Sequence, residues 1–188
     1  MQKIILASQS PRRKQLLEWA EVDFDVIVSD TDESFPPELS FSEAAIYIAR
    51  NKALAVLAHL TSDIPVLAAD TIVVCDETII GKPKSREEAI EFLSKLSGNI
   101  HEVITGVVIF KGTKEIAFAD TTRVSFHTLT QEQIVFYVDK YQPYDKAGAY
   151  AIQEWIGVVG IESIQGDFYN VMGLPVSRVI KALEGFNS

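Results

Sequence analysis

Cysteine is almost missing from this chain. Cys75 is the single one among 188 residues. That excludes an internal disulfide and a thiolate zinc cluster. Cys75 sits in the apolar run Ile72-Val73-Val74-Cys75, where a buried structural thiol is expected rather than a nucleophile. Long hydrophobic runs are missing too: none approaches the roughly 18 residues a membrane-crossing helix needs. Positive charge is in deficit, with 17 Lys and Arg against 26 Asp and Glu for a net charge of -9. Such a surface argues against broad electrostatic binding to DNA, RNA or an anionic membrane. The first residues show no charged–apolar–small leader pattern, so a cytoplasmic protein is expected. There is no internal repeat, low-complexity stretch or linker. Histidine is sparse: His101 and His127 lie 26 positions apart with no third ligand in view, and His59 is expected on the surface.

What is present is ordinary for a globular enzyme: 47% hydrophobic and 23% charged residues, in a chain long enough for a sizeable core. An anionic substrate would need a local basic pocket set against the acidic surface, and a divalent metal could help it. The best place for one is Ser8-Gln9-Ser10-Pro11-Arg12-Arg13-Lys14. Ile4-Ile5-Leu6-Ala7 before it reads as a buried strand. Ser10 fits an N-cap and Pro11 the first helical position. Leu16, Leu17 and Trp19 form the apolar side of the helix. A strand entering a helix N-terminus beside two arginines suits an anion, phosphate above all. Solvated arginines on a plain turn are the alternative, since this is no glycine-rich phosphate loop.

Further along, Phe24 to Val28 reads as a second strand. An acidic loop with Asp30, Asp32 and Glu33 then leads to Pro36-Pro37. Its carboxylates are either solvated or available to Mg²⁺. Ser40 and Glu43 form a capping box for a helix from about 41 to 60, carrying Arg50 and Lys52. Ile64 to Ala69 reads as a central strand, stopping at Asp70-Thr71 and resuming at Ile72. A carboxylate between two apolar runs is either a turn residue or functional. Asp76-Glu77 turns the chain into Ile79-Ile80 and Gly81-Lys82-Pro83, where Pro83 holds Lys82 extended. If the two strands form a hairpin, Asp70 and Lys82 become a base-and-phosphate pair.

Ser85 and Glu88 read as another capping box, with Gly98 ending the helix. His101 to Phe110 and Glu115 to Leu129 read as a hairpin. A helix capped by Thr130 follows. Gly148 and Ala149 allow close packing, while Asp145, Lys146 and Gln153 add polar groups that tilt the segment toward a site. Val158 to Ile164 reads as a strand, Asn170 to Pro175 as a loop, and Val176 to Leu183 as the last helix.

Together these pieces resemble the Maf proteins: A-S-x-S-P-R-R near the N-terminus, A-D-T at 69–71, G-K-P at 81–83, K-L-S-G at 95–98, D-K-A-G-A-Y-x-I-Q at 145–153 and G-L-P at 173–175. The motifs run in family order over the whole chain, and the resemblance implies one domain over 1–188. It implies an α/β fold: a mixed twisted sheet with surrounding helices and two lobes around a cleft, like the inosine triphosphate pyrophosphatases. It also implies a nucleoside triphosphate pyrophosphatase that uses Mg²⁺ or Mn²⁺. Family motifs put Ser8, Arg12, Arg13, Lys52 and Lys82 in a phosphate pocket, Glu33 at the metal, and Asp70 as general base or metal ligand. Arg12, Thr71 and Gln153 match the branch acting on dTTP and UTP rather than the 7-methyl-GTP branch. Thr71 and Gln153 can read a pyrimidine edge by hydrogen bonding. The family name reflects an association with septum formation, and the resemblance allows a homodimer. The competing reading is a nucleotide-sensing regulator of division that binds without catalysis.

Overall fold

Apolar runs buried on both faces set the frame of this protein. The computed structural model describes residues 2–61 and 63–186. In chain order, β1 (Ile4–Leu6) leads through α1 (Pro11–Trp19) to β2 (Phe24–Val26), and α2 (Phe41–Leu57) leads to β3 (Val66–Cys75). The hairpin strand β4 (Thr78–Ile80) precedes α3 (Arg86–Leu96), β5 (Ile100–Lys111), β6 (Lys114–Phe126) and α4 (Gln131–Tyr141). A 3-10 turn at Ala147–Ala149, α5 (Trp155–Gly160), β7 (Ile161–Gln165), α6 (Phe168–Met172) and α7 (Val176–Glu184) complete the order. The strands order as β2-β1-β3-β5-β6-β7, with β4 paired to β3. β1 runs parallel to β2 and β3, whereas β3–β4 and β6–β7 are antiparallel, so the α/β fold has the expected mixed sheet.

The chain divides into two compact units, with the divisions falling inside β3, β5 and β6. One unit takes Met1–Thr71, Thr105–Asp120 and Gly173–Ser188; the other takes Ile72–Ile104 and Thr121–Met172.

In the first unit, Ala49, Ala53 and Val56 of α2 pack on Ile5, Ala7, Val66, Ala68 and Val108. Alternate strand residues thus face α2, as the period-2 side-chain pattern of a strand dictates. Helix and sheet come into close contact at Gly106, where an added Cβ would overlap the backbone of Ala45 and Ile46. Only glycine lets β5 lie this near the helix. Ser40 and Glu43 complete the expected capping box, and α2 ends at Leu57.

The second unit centres on an edge-to-face aromatic group, His101, Phe126 and Tyr150, with centroids 5.0–5.4 Å apart. His101 Nε2 lies 2.7 Å from the Tyr150 hydroxyl. His101 is thus an interior residue whose Nε2 is paired with a tyrosine. The Asp76–Glu77 turn has positive φ at both residues (48° and 57°), a geometry suited to the β3–β4 hairpin.

Several local expectations need correction. Trp19 is 59% exposed, so Leu16 and Leu17 carry the α1 core face with Arg13. Ser10 stands at the N-cap of α1 without a side-chain cap bond; its own N–H donates to Ser8 Oγ instead. The box at Ser85 is half made. Ser85 Oγ accepts from the Glu88 N–H, but the Glu88 carboxylate turns to the N–H of Lys84. Strand β3 runs unbroken through Asp70 and Thr71. Trp155–Gly160 is helical and the strand begins only at Ile161; Val158, at 82% exposure, has no sheet face to occupy. Asn170 lies in helix α6 rather than in a loop.

Candidate active site

Strand alternation decides which partner each polar residue of β3 meets. Asp70 follows Val66 and Ala68 on the face covered by α2, and there it meets Lys52. Thr71 points the other way, to Arg13. The break expected at Asp70-Thr71 is therefore a continuous strand whose two polar side chains each find a partner.

On the α2 face, Lys52 Nζ lies 2.6 Å from Asp70 Oδ1 and 2.7 Å from Glu33 Oε1. Lys52 and Asp70 side chains are 17% and 13% exposed, while Glu33 from the acidic loop is 52% exposed. The ammonium offsets the repulsion of two carboxylates brought to one point. Lys52 is thus a member of a charged triad, not a solvated helical lysine.

On the opposite face, Arg13 is buried at 8% exposure and held along three directions. Its Nε donates to the Gly173 carbonyl oxygen at 2.8 Å, and its terminal nitrogens donate to Ser8 Oγ and Thr71 Oγ1, each at 3.0 Å. Thr71 Oγ1 also lies 2.9 Å from Thr105 Oγ1 and 3.4 Å from the Gly173 oxygen. Burial pulls the Arg13 guanidinium below its ordinary pKa, and the nearby Asp70 charge opposes that pull. With its acceptors in place the group stays cationic.

Seven of the expected site residues, Ser8, Arg12, Arg13, Glu33, Lys52, Asp70 and Thr71, belong to the first unit, and Lys82 and Gln153 to the second. Ser8, Arg13 and Thr71 are joined by direct bonds, as are Glu33, Lys52 and Asp70. Arg12 is half-buried next to Arg13. Lys82 and Gln153 are exposed. The Gln153 segment is anchored within its own unit. The Ala151 N–H donates to the Tyr137 hydroxyl at 3.1 Å, and that hydroxyl donates to Glu154. Lys146 lies 2.8 Å from Asp145 and 3.7 Å from Glu154, so these two of the three polar groups serve local ion pairs. The Gly148 N–H bonds the carbonyl of Gly81, the residue before Lys82, at 3.1 Å.

Sequence reasoning missed Thr105, the Gly173 carbonyl and Tyr137. Arg13 could have been singled out from Arg12, because Arg13, Leu16 and Leu17 follow the i, i+3, i+4 spacing of one helix face. Thr105 carried a similar signal as a lone hydroxyl among Val103, Ile104, Val107 and Val108, all buried.

Glu33 and Asp70 supply the oxygen donors that Mg²⁺ or Mn²⁺ prefers, and both reach the same ammonium. A site of one or two carboxylates completed by water and phosphate oxygens is typical for Mg²⁺. Among the described residues no group of three His, Cys, Asp or Glu is arranged as a metal cage. The donor set therefore fits an ion shared with a phosphate ligand.

The chain has many relatives among known proteins. The dTTP/UTP pyrophosphatase of Cytophaga hutchinsonii is 53% identical over 181 residues, covering 96% of this chain and 83% of that protein. That of Parabacteroides distasonis is 49% identical over 185 residues, covering 98% and 96%, and that of Bacillus cereus 48% over 187, covering 100% and 97%. Among solved structures, the Staphylococcus aureus Ham1 protein shares the fold, with a TM-score of 0.54 at 19% identity over 98% of this chain and 99% of that one. The family described as Maf-like protein matches residues 3–186, and the chain belongs to the Maf family.

Proposed function

We propose that this protein is a nucleoside triphosphate pyrophosphatase acting on dTTP and UTP, releasing the nucleoside monophosphate and pyrophosphate. The observation that carries the reading is the pairing, on adjacent residues of one strand, of a carboxylate–lysine triad with a buried, three-point-held arginine. Relatives 44–53% identical carry that activity in their names.

In the reaction, water attacks the α-phosphorus and the bond to the bridging oxygen breaks, leaving its electron pair on pyrophosphate. Asp70 takes the water proton. Lys52 holds Oδ1 of Asp70, so the second carboxylate oxygen is directed to the water. Arg13, Arg12, Lys82 and the Ser8 hydroxyl grip the phosphates and offset charge developing on the leaving group. Glu33 and Asp70 would hold a divalent cation, which supplies Lewis-acid stabilisation of the phosphoryl oxygens when bound. Gln153 contacts the base. The reaction calls for neither a nucleic acid nor a membrane as partner, and no described helix is long and apolar enough to cross a bilayer.

The test is a panel of canonical and modified nucleoside triphosphates with Mg²⁺ or Mn²⁺, scored for pyrophosphate and monophosphate. Turnover concentrated on dTTP and UTP is expected. Preference for 7-methyl-GTP would overturn the substrate assignment. Absence of turnover on every nucleotide would leave a binding protein instead of an enzyme.

A further inference from the structure

Glu88 gives up half of a helix cap to hold the loop in front of its own helix. From the third helical position its side chain could reach back to the Ser85 N–H and close the capping box. Its carboxylate accepts instead from the Lys84 N–H, while Ser85 Oγ still accepts from the Glu88 N–H. The loop it reaches is Gly81-Lys82-Pro83-Lys84, which leads from β4 toward α3.

The far end of that loop is held as well. The Gly148 N–H donates to the Gly81 carbonyl at 3.1 Å. Gly148 is buried with φ +73°, and a Cβ there would press on both Val73 methyl groups at 3.2 Å. Val73 pairs with Ile80, so this donor is wedged against the hairpin from which the loop departs. The two held groups belong to two peptide planes, Gly81–Lys82 and Pro83–Lys84. Only Lys82 and Pro83 stand between them. Pro83 is buried with its φ locked by the ring, and it confines Lys82 to extended geometry. The Lys82 side chain is exposed, but little freedom is left in the backbone beneath it.

From this strap we infer that Glu88 is a positioning residue acting through Lys82: by fixing the Lys84 N–H, it sets the backbone from which the Lys82 ammonium reaches phosphate. The inference rests on the proposal that Lys82 grips phosphate. Lysine is a point charge on a flexible stem, and every torsion that must be ordered on binding lowers the affinity it confers. A backbone ordered beforehand leaves only the side-chain torsions to freeze. Glu88 needs no contact with substrate for this. It is required as a hydrogen-bond acceptor and not as a charge, so a glutamine amide can replace it.

The experiment measures binding of inorganic pyrophosphate by calorimetry, alongside hydrolysis of dTTP, UTP and CTP, in Glu88→Ala, Glu88→Gln, Ser85→Ala and Lys82→Ala. Glu88→Ala should weaken pyrophosphate binding and raise KM for every nucleotide about three- to tenfold, with the dTTP:UTP:CTP ratios unchanged. Glu88→Gln should behave as wild type. Ser85→Ala, which removes the surviving half of the cap, should lower the melting temperature yet keep wild-type affinity. In a Lys82→Ala background the effect of Glu88→Ala should vanish, since the strap then has no ammonium to place. If Glu88→Ala fails to fold, Glu88→Met removes the acceptor at similar length and makes the same comparison. Wild-type affinity in Glu88→Ala beside weakened binding in Lys82→Ala would overturn the inference alone. So would an equal loss in Glu88→Gln, an equal loss in Ser85→Ala, or an effect of Glu88→Ala that survives without Lys82. Wild-type affinity in Lys82→Ala would overturn the phosphate role of Lys82 and the inference with it. Because pyrophosphate binding needs no turnover, an inactive wild type would defeat the proposed activity, while the binding series would still decide for or against the strap.

Discussion

Lys52 and Asp70 are locked together: the ammonium lies 2.6 Å from Oδ1, and both side chains are largely withdrawn from solvent. The pair separates two jobs that are easily confounded. Asp70→Asn keeps size and hydrogen bonding but removes the base, so kcat should fall by about 10²- to 10⁴-fold while a non-hydrolysable dTTP analogue still binds. Lys52→Met should lose both, because Asp70 and Glu33 then lose the ammonium that fixes their carboxylates in place. Equal loss of analogue binding in the two variants, measured by calorimetry, would refute the division of labour.

Gly106 decides where that lysine sits. Its backbone lies against α2 at Ala45 and Ile46, two helical turns before Lys52, and a methyl group has no room. Gly106→Ala should destabilise the protein by about 1–3 kcal/mol in chemical denaturation. It should also depress activity beyond what the stability loss explains, by displacing the helix that carries the ammonium. A folded, fully active Gly106→Ala protein would show that the helix can slide without moving Lys52 off Asp70.

Buried His101 gives the fold a definite response to acid. Desolvation lowers its pKa from the ordinary 6.5 to about 4, which means the folded state refuses a proton that the unfolded chain accepts. Between those values the unfolded state binds more protons, so stability rises with pH there. The contribution is full above about pH 6.5 and is lost progressively as pH falls toward 4, amounting to about 3 kcal/mol at most. His101→Phe should flatten that part of the melting-temperature profile. A profile from pH 7 to 4 identical in the two proteins would show that His101 is not the group responsible.

Signals in the sequence were legible where they were local. Capping boxes at Ser40 and Thr130 could be read because both halves lie within four residues. The box at Ser85 failed because Glu88 had a competing donor in the N–H of Lys84. Val158 and Val159 favour strand by side-chain shape, but with Val158 left in solvent nothing rewards that preference, and the chain stays helical to Gly160. Asp70-Thr71 looked like an interruption because polar residues in a buried strand are expensive unless paired. The partners, Lys52 and Arg13, lie 18 and 58 positions away, and no local pattern announces them. The motifs could collect the site residues; only the alternating faces of β3 separate a chemical face from a gripping one.

Tyr137 holds the segment carrying Gln153 from both sides. Its hydroxyl accepts from the Ala151 N–H and donates to Glu154, the residues that flank Ile152 and Gln153. Burial and the Glu154 carboxylate push its pKa well above the ordinary tyrosine range, so the proton stays in place across physiological pH. Tyr137→Phe preserves the ring and its stacking on Tyr141 but leaves the buried Ala151 N–H without its acceptor. A stability loss of about 1–3 kcal/mol is expected. Gln153 itself is exposed and depends on its backbone for position, so the same change should blur the preference for dTTP and UTP over other nucleotides. Pyrophosphate affinity should hold, because the Tyr137 hydroxyl bonds Ala151 and Glu154, neither of which is assigned to the phosphates. The ratio of kcat/KM across the nucleotide panel is the deciding measurement. If Tyr137→Phe weakened pyrophosphate binding while leaving that ratio unchanged, Gln153 would lose its assignment as the base-reading residue.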